Sequence, residues 1–420
     1  MNEGLRIHRL RRLAALSLLL CLLFSCSSVQ YQDRQQIASL QKLCRVWGYV
    51  KYTHPTFLLG QKDWDAELIS LIDSLSAAGS EKNANDTLYR WFTGLGDIDY
   101  GTSFIDQTWI NLPPGHKLSL ADTSWLSDQA YLGAELSAAL SRLGEIPVIS
   151  RAKAPVQFDG LGGCLFSNEK SYEHIDYADP AWRLLGLFRL WNAIEYYYPY
   201  RDILDEDWHA LLLSSISSML RGNDEESYDR TLAALSAKLG DAHAATSSLN
   251  SLLLAETGSY AVPAHITKAD GVLVIERVEE AHRATCPLLP GDVLLKLNDE
   301  EIAAVVDRLC EIVAVPSDEK LLNQLGVWLL RSPDQMIEVT VLRNNAEFTL
   351  AVQGVSECFF SAWTPAERSH LRLEGDIGLI NPSKLAEGQL AQIMDEFSDT
   401  RGLIVDLRQY PKSYPNQSLD

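Results

Sequence analysis

The sequence predicts an α+β protein of several domains, in which two related helical units precede a small β domain and the beginning of an α/β domain. Four observations lead to this prediction. The 420 residues suffice for two or three domains of ordinary size. The first half contains an internal repeat, and the hydrophobic pattern changes from helical to strand-like near residue 260. Hydrophobic residues make up 46% of the chain, which is enough to form buried cores.

The composition excludes several classes of protein. The chain has 56 acidic and 36 basic residues and a formal net charge of -20. Because such a surface repels phosphate backbones, we expect no nucleic-acid partner. The sequence has no phosphate-binding P-loop, HExxH, GxSxG or CxxC motif, and its histidines show no ligand spacing. We therefore expect neither a metal site nor a cofactor.

The amino terminus has the pattern of an export signal. Four arginines precede the apolar stretch Leu13–Phe24, which is too short to span a bilayer. Ser25-Cys26 then resembles a bacterial lipobox. We predict a lipoprotein signal peptide over residues 1–25, acylation of Cys26 and a tether over residues 26–39. Acyl chains would hold the protein at a membrane of the cell envelope. We expect an exported lipoprotein that is either periplasmic or anchored to the outer membrane. The alternative is an ordinary signal peptide in which Cys26 is incidental.

A shift of 144 residues superposes two parts of the chain without a gap. The matched residues are Leu40, Leu43, Arg45, Trp47, Tyr52, Pro55, Asp63-Trp64 and Leu95-Gly96-Asp97 on Leu184, Leu187, Arg189, Trp191, Tyr196, Pro199, Asp207-Trp208 and Leu239-Gly240-Asp241. This match predicts two copies of one unit, over residues 40–99 and 181–250. Each copy is expected to be a small three-helix bundle with its aromatic residues in the core.

The helices of the second copy follow from its periodicity. Apolar residues recur every three or four positions from Leu184 to Tyr198, and Pro199 ends that helix. Asp205 or Asp207 is expected to cap the next helix, which ends near Gly222. A third helix extends from about residue 228 to 239. The segment between the copies, residues 100–180, is predicted to be a mixed connector with a few strands and one helix near residues 134–143.

The copies differ at one chemically interesting place. Copy two ends in Asp241-Ala242-His243, whereas copy one has Asp99 where copy two has the histidine. Histidine titrates near neutrality and is the usual general base, and Asp241 could orient it. His243 is therefore a candidate catalytic base. The alternative is a structural role, in which a partly charged imidazole offsets the dipole at a helix C-terminus.

A strand-rich domain is predicted over residues 251–355. Short β-rich runs occur near residues 262–266, 271–275, 293–297 and 336–342, with a helical stretch near residues 319–330. The run Pro290-Gly291-Asp292-Val293-Leu294-Leu295-Lys296-Leu297-Asn298 resembles the signature of PDZ domains in bacterial periplasmic proteases. The resemblance implies capture of chain termini by strand addition, with Leu289, Gly291 and Asp292 in the peptide-binding loop. The alternative is a domain that only packs between its neighbours.

Residues 356–420 complete the resemblance to a family. A strand near residues 375–381, a helix near 385–397 and the buried-strand pattern Gly402-Leu403-Ile404-Val405-Asp406-Leu407-Arg408 follow one another. This order resembles the entry to the catalytic domain, an α/β crotonase-like core, of the tail-specific (carboxy-terminal processing) serine peptidases. Together with the upstream motifs, the chain resembles their tricorn-like and lipoprotein branch. The resemblance implies peptide-bond hydrolysis by a serine nucleophile, with His243 at the position of the tricorn-like base.

Two departures from the family pattern limit this expectation. The strand continues as Gln409-Tyr410-Pro411, without the glycine pair that supplies oxyanion N–H groups in the family. The family's nucleophile segment has no counterpart within the 420 residues, so we expect a catalytic domain that is truncated and inactive. The alternative function is a non-catalytic PDZ adaptor that binds peptides or unfolded protein C-termini at the cell envelope. A weaker alternative is carbohydrate stacking on the ten Trp and sixteen Tyr residues.

Overall fold

The structure is a computed structural model that describes residues 33–98, 111, 113, 121–144, 151–159, 163–357, 368–407 and 411. The predicted signal peptide, the predicted acylation site Cys26 and Tyr410 lie outside the described residues. The chain divides into two compact units, one of Met1–Leu253 with Arg308–Pro316 and one of Leu254–Asp307 with Ser317–Asp420. In the described part of the chain, no helix combines the length and apolar character needed to cross a bilayer.

The first unit is mainly helical. Its helices are α1 (33–53), α2 (Pro55–Leu58), α3 (Trp64–Ser76), α4 (Glu81–Gly94), α5 (Gln129–Leu132), α6 (Ala134–Leu143), α7 (Pro180–Tyr197), α8 (Trp208–Arg221), α9 (Glu225–Ala237) and α10 (Leu249–Thr257), the last of which continues into the second unit. Two short antiparallel strands of two residues each, β1 (Gln157–Phe158) and β2 (Cys164–Leu165), lie between α6 and α7 in the sequence. The helix near residues 134–143 was predicted and is confirmed.

Capping residues define the helix boundaries of both copies in the same way. The Asp63 carboxylate accepts hydrogen bonds from the amides of residues 65 and 66 and begins α3. Asp207 accepts the equivalent bonds from residues 209 and 210 and begins α8. Such caps satisfy amides that have no partner within the helix. α7 ends at Tyr197, two residues before Pro199, and α8 ends at Arg221 with Gly222 as its C-cap, close to where the sequence predicted.

The two copies share one hydrophobic core, which corrects the prediction that each would form a bundle of its own. Side chains of both first helices, including the buried Trp47 and Trp191, belong to one continuous cluster. The physical reason is that α1 and α7 pack directly against each other, where Gly48 lies against Asn192. The apolar stripe of each first helix is thus buried partly by the other copy. The prediction that the paired aromatic residues are core residues is confirmed.

A buried ionic network also joins the copies. Lys51 of α1 pairs with Glu169, and Arg189 of α7 pairs with Asp65 of α3. Arg189 also lies 2.9 Å from Glu169, so two cations and two anions neutralise each other. The Tyr172 hydroxyl donates to Asp65 at 3.0 Å. The side chains of Lys51 and Asp65 are fully buried. Each of these charges therefore needs its partner, because an unpaired buried charge would strongly destabilise the fold.

The second unit is built on an antiparallel sheet. Its strands are β3 (Tyr260–Ala261), β4 (Ala264–Ala269), β5 (Val272–Val278), β6 (Val293–Leu297), β7 (Glu300–Glu301), β8 (Arg331–Ser332), β9 (Met336–Arg343) and β10 (Ala346–Gln353). The main sheet has the order β10-β9-β6-β5-β4, β7 pairs with β6, and β3 pairs separately with β8. Helices α11 (Ile302–Cys310) and α12 (Leu321–Leu325) interrupt the strands.

The last described segment is a small three-stranded sheet. β11 (His370–Leu373) pairs antiparallel with β12 (Ile377–Ile380), which pairs in parallel with β13 (Gly402–Val405). Helix α13 (Gln389–Glu396) connects the parallel strands and contributes Ile393 to a core with Ile380. The predicted strand, helix and strand are thus present. The residues of β13 are exposed, so its apolar run does not have the double-sided burial typical of a central parallel strand.

Candidate functional site

His243 lies in a tight turn that follows α9. Gly240 adopts a left-handed conformation (φ 59°) and directs the chain away from the helix. The next carboxylate, Asp241, accepts a hydrogen bond from the His243 amide at 2.9 Å, and the Ala244 amide donates to the Asp241 carbonyl at 2.8 Å. The short Asp side chain and the turn together fix the position of the imidazole.

The Asp241 carboxylate also contacts the imidazole ring of His243. Its Oδ1 lies 3.1 Å from Nδ1, and the His243 side chain is 96% exposed. The His243 backbone amide holds the pKa of Asp241 below its usual value, and the ring adds to this effect. A hydrogen bond from Nδ1–H to Asp241 would leave Nε2 free to accept a proton, which is the arrangement of a general base.

The described residues do not complete a catalytic site around His243. No serine hydroxyl or cysteine thiol among them hydrogen-bonds to its Nε2. Lys412 and Ser413, which follow β13 in the sequence, lie outside the described residues. The role of His243 as a base therefore stays a prediction.

The predicted peptide-binding loop is held by internal contacts. The Asp292 carboxylate is buried and receives Nε–H of Arg343 at 2.7 Å and Nη2–H at 2.6 Å. It also accepts the amide of Leu289 at 2.8 Å, while the Gly291 amide donates to Ile275 at 2.8 Å. Both carboxylate oxygens of Asp292 are therefore engaged in hydrogen bonds within the domain. The Leu289 side chain of this loop is half-exposed, and the neighbouring Pro290 and Gly291 are exposed as well.

The free side of β4 is a second feature that suits peptide binding. β4 is the terminal strand of the main sheet, and β5 is its only strand partner in the described part of the chain. Its first residues, Ala264 to Ile266, are buried, whereas Thr267 to Ala269 are partly or fully exposed. An edge strand has backbone N–H and C=O groups that can pair with another chain.

A polar cluster fixes β4 against β5. The buried His265 of β4 hydrogen-bonds through Nε2 to Glu279, and Arg277 of β5 lies 3.3 Å from its Nδ1. The hydrogen bond with His265 lowers the pKa of Glu279. These contacts hold the start of the edge strand in place, so that strand addition would meet a preformed template.

Sequence reasoning missed a second pair of ionisable residues. The buried Glu195 of α7 lies 3.9 Å from His209 of α8, whose side chain is 31% exposed. A signal existed: Glu195 lies four residues after Trp191, on the apolar stripe of α7, where a charged side chain is unexpected. Among the described residues, no group of three His, Cys, Asp or Glu side chains is arranged to hold a metal.

No family model and no curated protein matches the sequence. Among solved structures, the chain is similar to mature CPAF complexed with lactacystin, with 14% identity and a TM-score of 0.37. This alignment covers 53% of the present chain and 55% of that chain. Mature CPAF alone matches with the same identity and TM-score and with 54% of its length covered. The chain thus spans about half the length of the structures it matches.

CPAF is a chlamydial serine protease of the tail-specific type. The similarity of the present chain to these structures is distant. At this identity and TM-score it assigns no role to any residue of the present chain.

Proposed function

We propose that the protein binds extended peptide segments by adding them as a strand to the free edge of β4. The observation that carries the proposal is the position of β4 at the end of the main sheet, with β5 as its only described strand partner. Strand addition supplies affinity through main-chain hydrogen bonds and specificity through alternate side chains. The PDZ-like signature at Pro290-Gly291-Asp292 also supports peptide binding by strand addition. The proposed ligands are peptides or unfolded protein C-termini.

Binding should depend on the peptide backbone. Fluorescence polarisation would compare one labelled peptide with two analogues in which alternate backbone amides are N-methylated. Since only every second amide of an added strand faces β4, one analogue should lose binding at least tenfold and the other should retain it. Equal affinity of all three peptides would exclude strand addition. C-terminal amidation of the unmethylated peptide tests separately whether a free carboxylate is recognised.

A second candidate function is peptide hydrolysis, which the Asp241–His243 contact favours. A general base needs a neutral imidazole with an available nitrogen, and a hydrogen bond from Nδ1–H to Asp241 would supply it. We place peptide binding ahead of hydrolysis because no hydroxyl among the described residues hydrogen-bonds to His243 as a nucleophile would. Turnover of fluorogenic peptides that disappears in His243→Ala and falls in Asp241→Asn would support hydrolysis. Turnover unaffected by either variant would exclude these residues.

We further propose that acylation of Cys26 holds the protein at the cell envelope. The cationic and apolar segments before Cys26 support this, and two or more acyl chains give stable anchoring. Metabolic labelling with a fatty acid should modify the wild type and not Cys26→Ser. Equal labelling of the two would exclude this site.

A further inference from the structure

A serine, a histidine and a glutamate lie together in the small three-stranded sheet of the second unit. Ser369 directly precedes β11, and its Oγ lies 3.0 Å from Nδ1 of His370, the first residue of that strand. The other ring nitrogen, Nε2, lies 3.3 Å from Oε2 of Glu396, the last residue of α13. The imidazole therefore has a hydroxyl on one side and a carboxylate on the other.

Backbone pairing fixes the position of Ser369. The Asn381 amide donates to the Ser369 carbonyl at 2.7 Å, which extends the pairing of β11 with β12 by one residue. Asn381 is itself buried, and its side-chain oxygen accepts hydrogen bonds from the amide and the hydroxyl of Ser383. The serine is thus attached to a paired strand whose end is held by a second set of hydrogen bonds.

The C-terminal end of α13 fixes the imidazole. The ring of Phe397, which follows the helix, packs edge-on against the ring of His370 with their centroids 5.8 Å apart. Phe397 belongs to the buried core of this segment. The carbonyl of Glu396 accepts a hydrogen bond from Arg372 of β11 at 3.1 Å, so the end of the helix is also tied to the strand that carries the histidine.

This arrangement can activate the serine hydroxyl. A neutral imidazole with its proton on Nε2, next to the carboxylate of Glu396, has its lone pair on Nδ1, next to the hydroxyl. A nucleophile within reach of a base, and a third group that orients the base, are the elements of nucleophilic catalysis by serine. The turn of Asp241 and His243 belongs to the other compact unit and has no such hydroxyl among the described residues.

We propose that Ser369 is a nucleophile for acyl transfer, with His370 as its general base and Glu396 as the residue that positions the imidazole. Oγ attacks the carbonyl carbon of an acyl ester, and its proton passes to Nδ1 as the Oγ–C bond forms. The bond to the leaving oxygen then breaks, and this oxygen takes the proton from Nδ1 and departs as an alcohol. Water attacks the acyl-serine in the same way, which releases a carboxylic acid and restores the hydroxyl.

The exposure of the site indicates small acyl esters as substrates. Ser369 and His370 are partly exposed, and the side chain of Glu396 is 54% exposed. A site so close to the surface suits a short acyl group with a good leaving group. Because solvent screens an exposed carboxylate, Glu396 should contribute several-fold to the rate, far less than the roughly 10⁴-fold of a buried carboxylate in a serine protease triad.

Labelling of the whole chain with an alkyl fluorophosphonate tests the proposal, because this probe bonds to activated serine hydroxyls with loss of fluoride. Mass spectrometry should locate the adduct on Ser369, and Ser369→Ala should lack it. His370→Gln should slow the labelling at least tenfold through loss of the general base. Glu396→Gln should slow it several-fold, and Glu396→Asp, which keeps the charge, should recover part of the rate.

Two matched controls accompany these variants. Ser398→Ala should be labelled as the wild type is, because the Ser398 hydroxyl donates to the carbonyl of Asp395 at 2.8 Å and does not contact a histidine among the described residues. His243→Ala should also be labelled at the wild-type rate. A slower rate in His243→Ala would contradict a site formed by residues 369, 370 and 396 alone.

Two results would overturn the proposal. One is a wild-type chain that carries no adduct on Ser369, and this result decides even if a variant fails to fold. The other is an unchanged labelling rate in a His370→Gln variant that keeps the circular dichroism spectrum of the wild type. Equal rates in Glu396→Gln and Glu396→Asp would exclude a positioning role for the Glu396 carboxylate.

Discussion

The side chain of Asn192 occupies the space that a side chain at Gly48 would fill. A Cβ atom at position 48 would lie 1.8 Å from Oδ1 of Asn192. The two residues are equivalent in the internal repeat, so the contact lies where the first helices of the two copies meet. The Asn192 amide donates to the carbonyls of Cys44 at 3.1 Å and Phe188 at 2.9 Å, which ties α7 to α1.

Gly48→Ala should destabilise the first unit by about 1–3 kcal/mol, because the overpacked helices must move apart. Urea unfolding followed by tryptophan fluorescence reports on this unit, since eight of the ten tryptophans precede residue 250. Gly94→Ala is the control, because nothing lies within 4 Å of a Cβ there. In an Asn192→Ala background the effect of Gly48→Ala should become much smaller. An undiminished effect would mean that the two residues are not coupled.

Asp65→Asn should destabilise the first unit by about 3–5 kcal/mol, because Arg189 and Lys51 would lose a fully buried counter-charge. The same urea measurement applies. Lys82→Ala, which removes the exposed ion pair with Asp86, should change the free energy of unfolding far less, because solvent screens that pair. Similar small effects for both variants would contradict the view that the buried network holds the copies together.

Trp47→Phe and Trp191→Phe should have nearly equal effects. Each indole donates its N–H to a buried carbonyl in the same copy, Trp47 to Trp64 at 2.8 Å and Trp191 to Trp208 at 2.9 Å. Loss of the bond and of indole volume should reduce the free energy of unfolding by about 2–4 kcal/mol in each case. Urea unfolding followed by circular dichroism measures this free energy for each variant. A neutral effect in one copy and a large effect in the other would argue against equivalent roles.

Arg343→Ala should make the second unit sensitive to acid. Burial alone would raise the pKa of Asp292, but the hydrogen bonds from Arg343 and Leu289 outweigh it and lower the pKa. The stability from this pair is therefore present above the ordinary pKa of about 3.9 and is lost as the pH falls through the lower folded value. Acid unfolding followed by far-ultraviolet circular dichroism should shift to higher pH in Arg343→Ala. Arg372→Ala, which removes an exposed partner of Asp399, should leave the midpoint unchanged.

The sequence predicted the helices of the repeat well because their boundaries depend on local chemistry. Asp207 caps α8, and Pro199 prevents further helix after α7. The merging of the two copies into one core could not be predicted in the same way. Periodicity shows that a stripe of residues is buried, but it does not show which helix buries it. The need for a glycine at position 48 follows from the Asn192 side chain that lies against it in the structure.

The second unit was predicted less completely. β10 was missed because most of its residues are exposed and give a weak alternation, and α11 was missed because Ile302-Ala303-Ala304-Val305-Val306 fits a strand as well as a helix. For the site, the sequence placed Asp292 in the peptide-binding loop by resemblance. Its contact with Arg343, 51 residues later, depends on the pairing of β6 with β9, which local sequence does not reveal.

Protection of β4 amides by a bound peptide tests the central claim most directly. Hydrogen exchange of the segment 264–269, measured with and without saturating peptide, should slow at least tenfold at those amides that do not already pair with β5. The segment 370–373 in the other sheet should be unaffected and serves as an internal control. Tight peptide binding without any added protection in 264–269 would contradict the proposal that this protein binds peptides at the edge of β4.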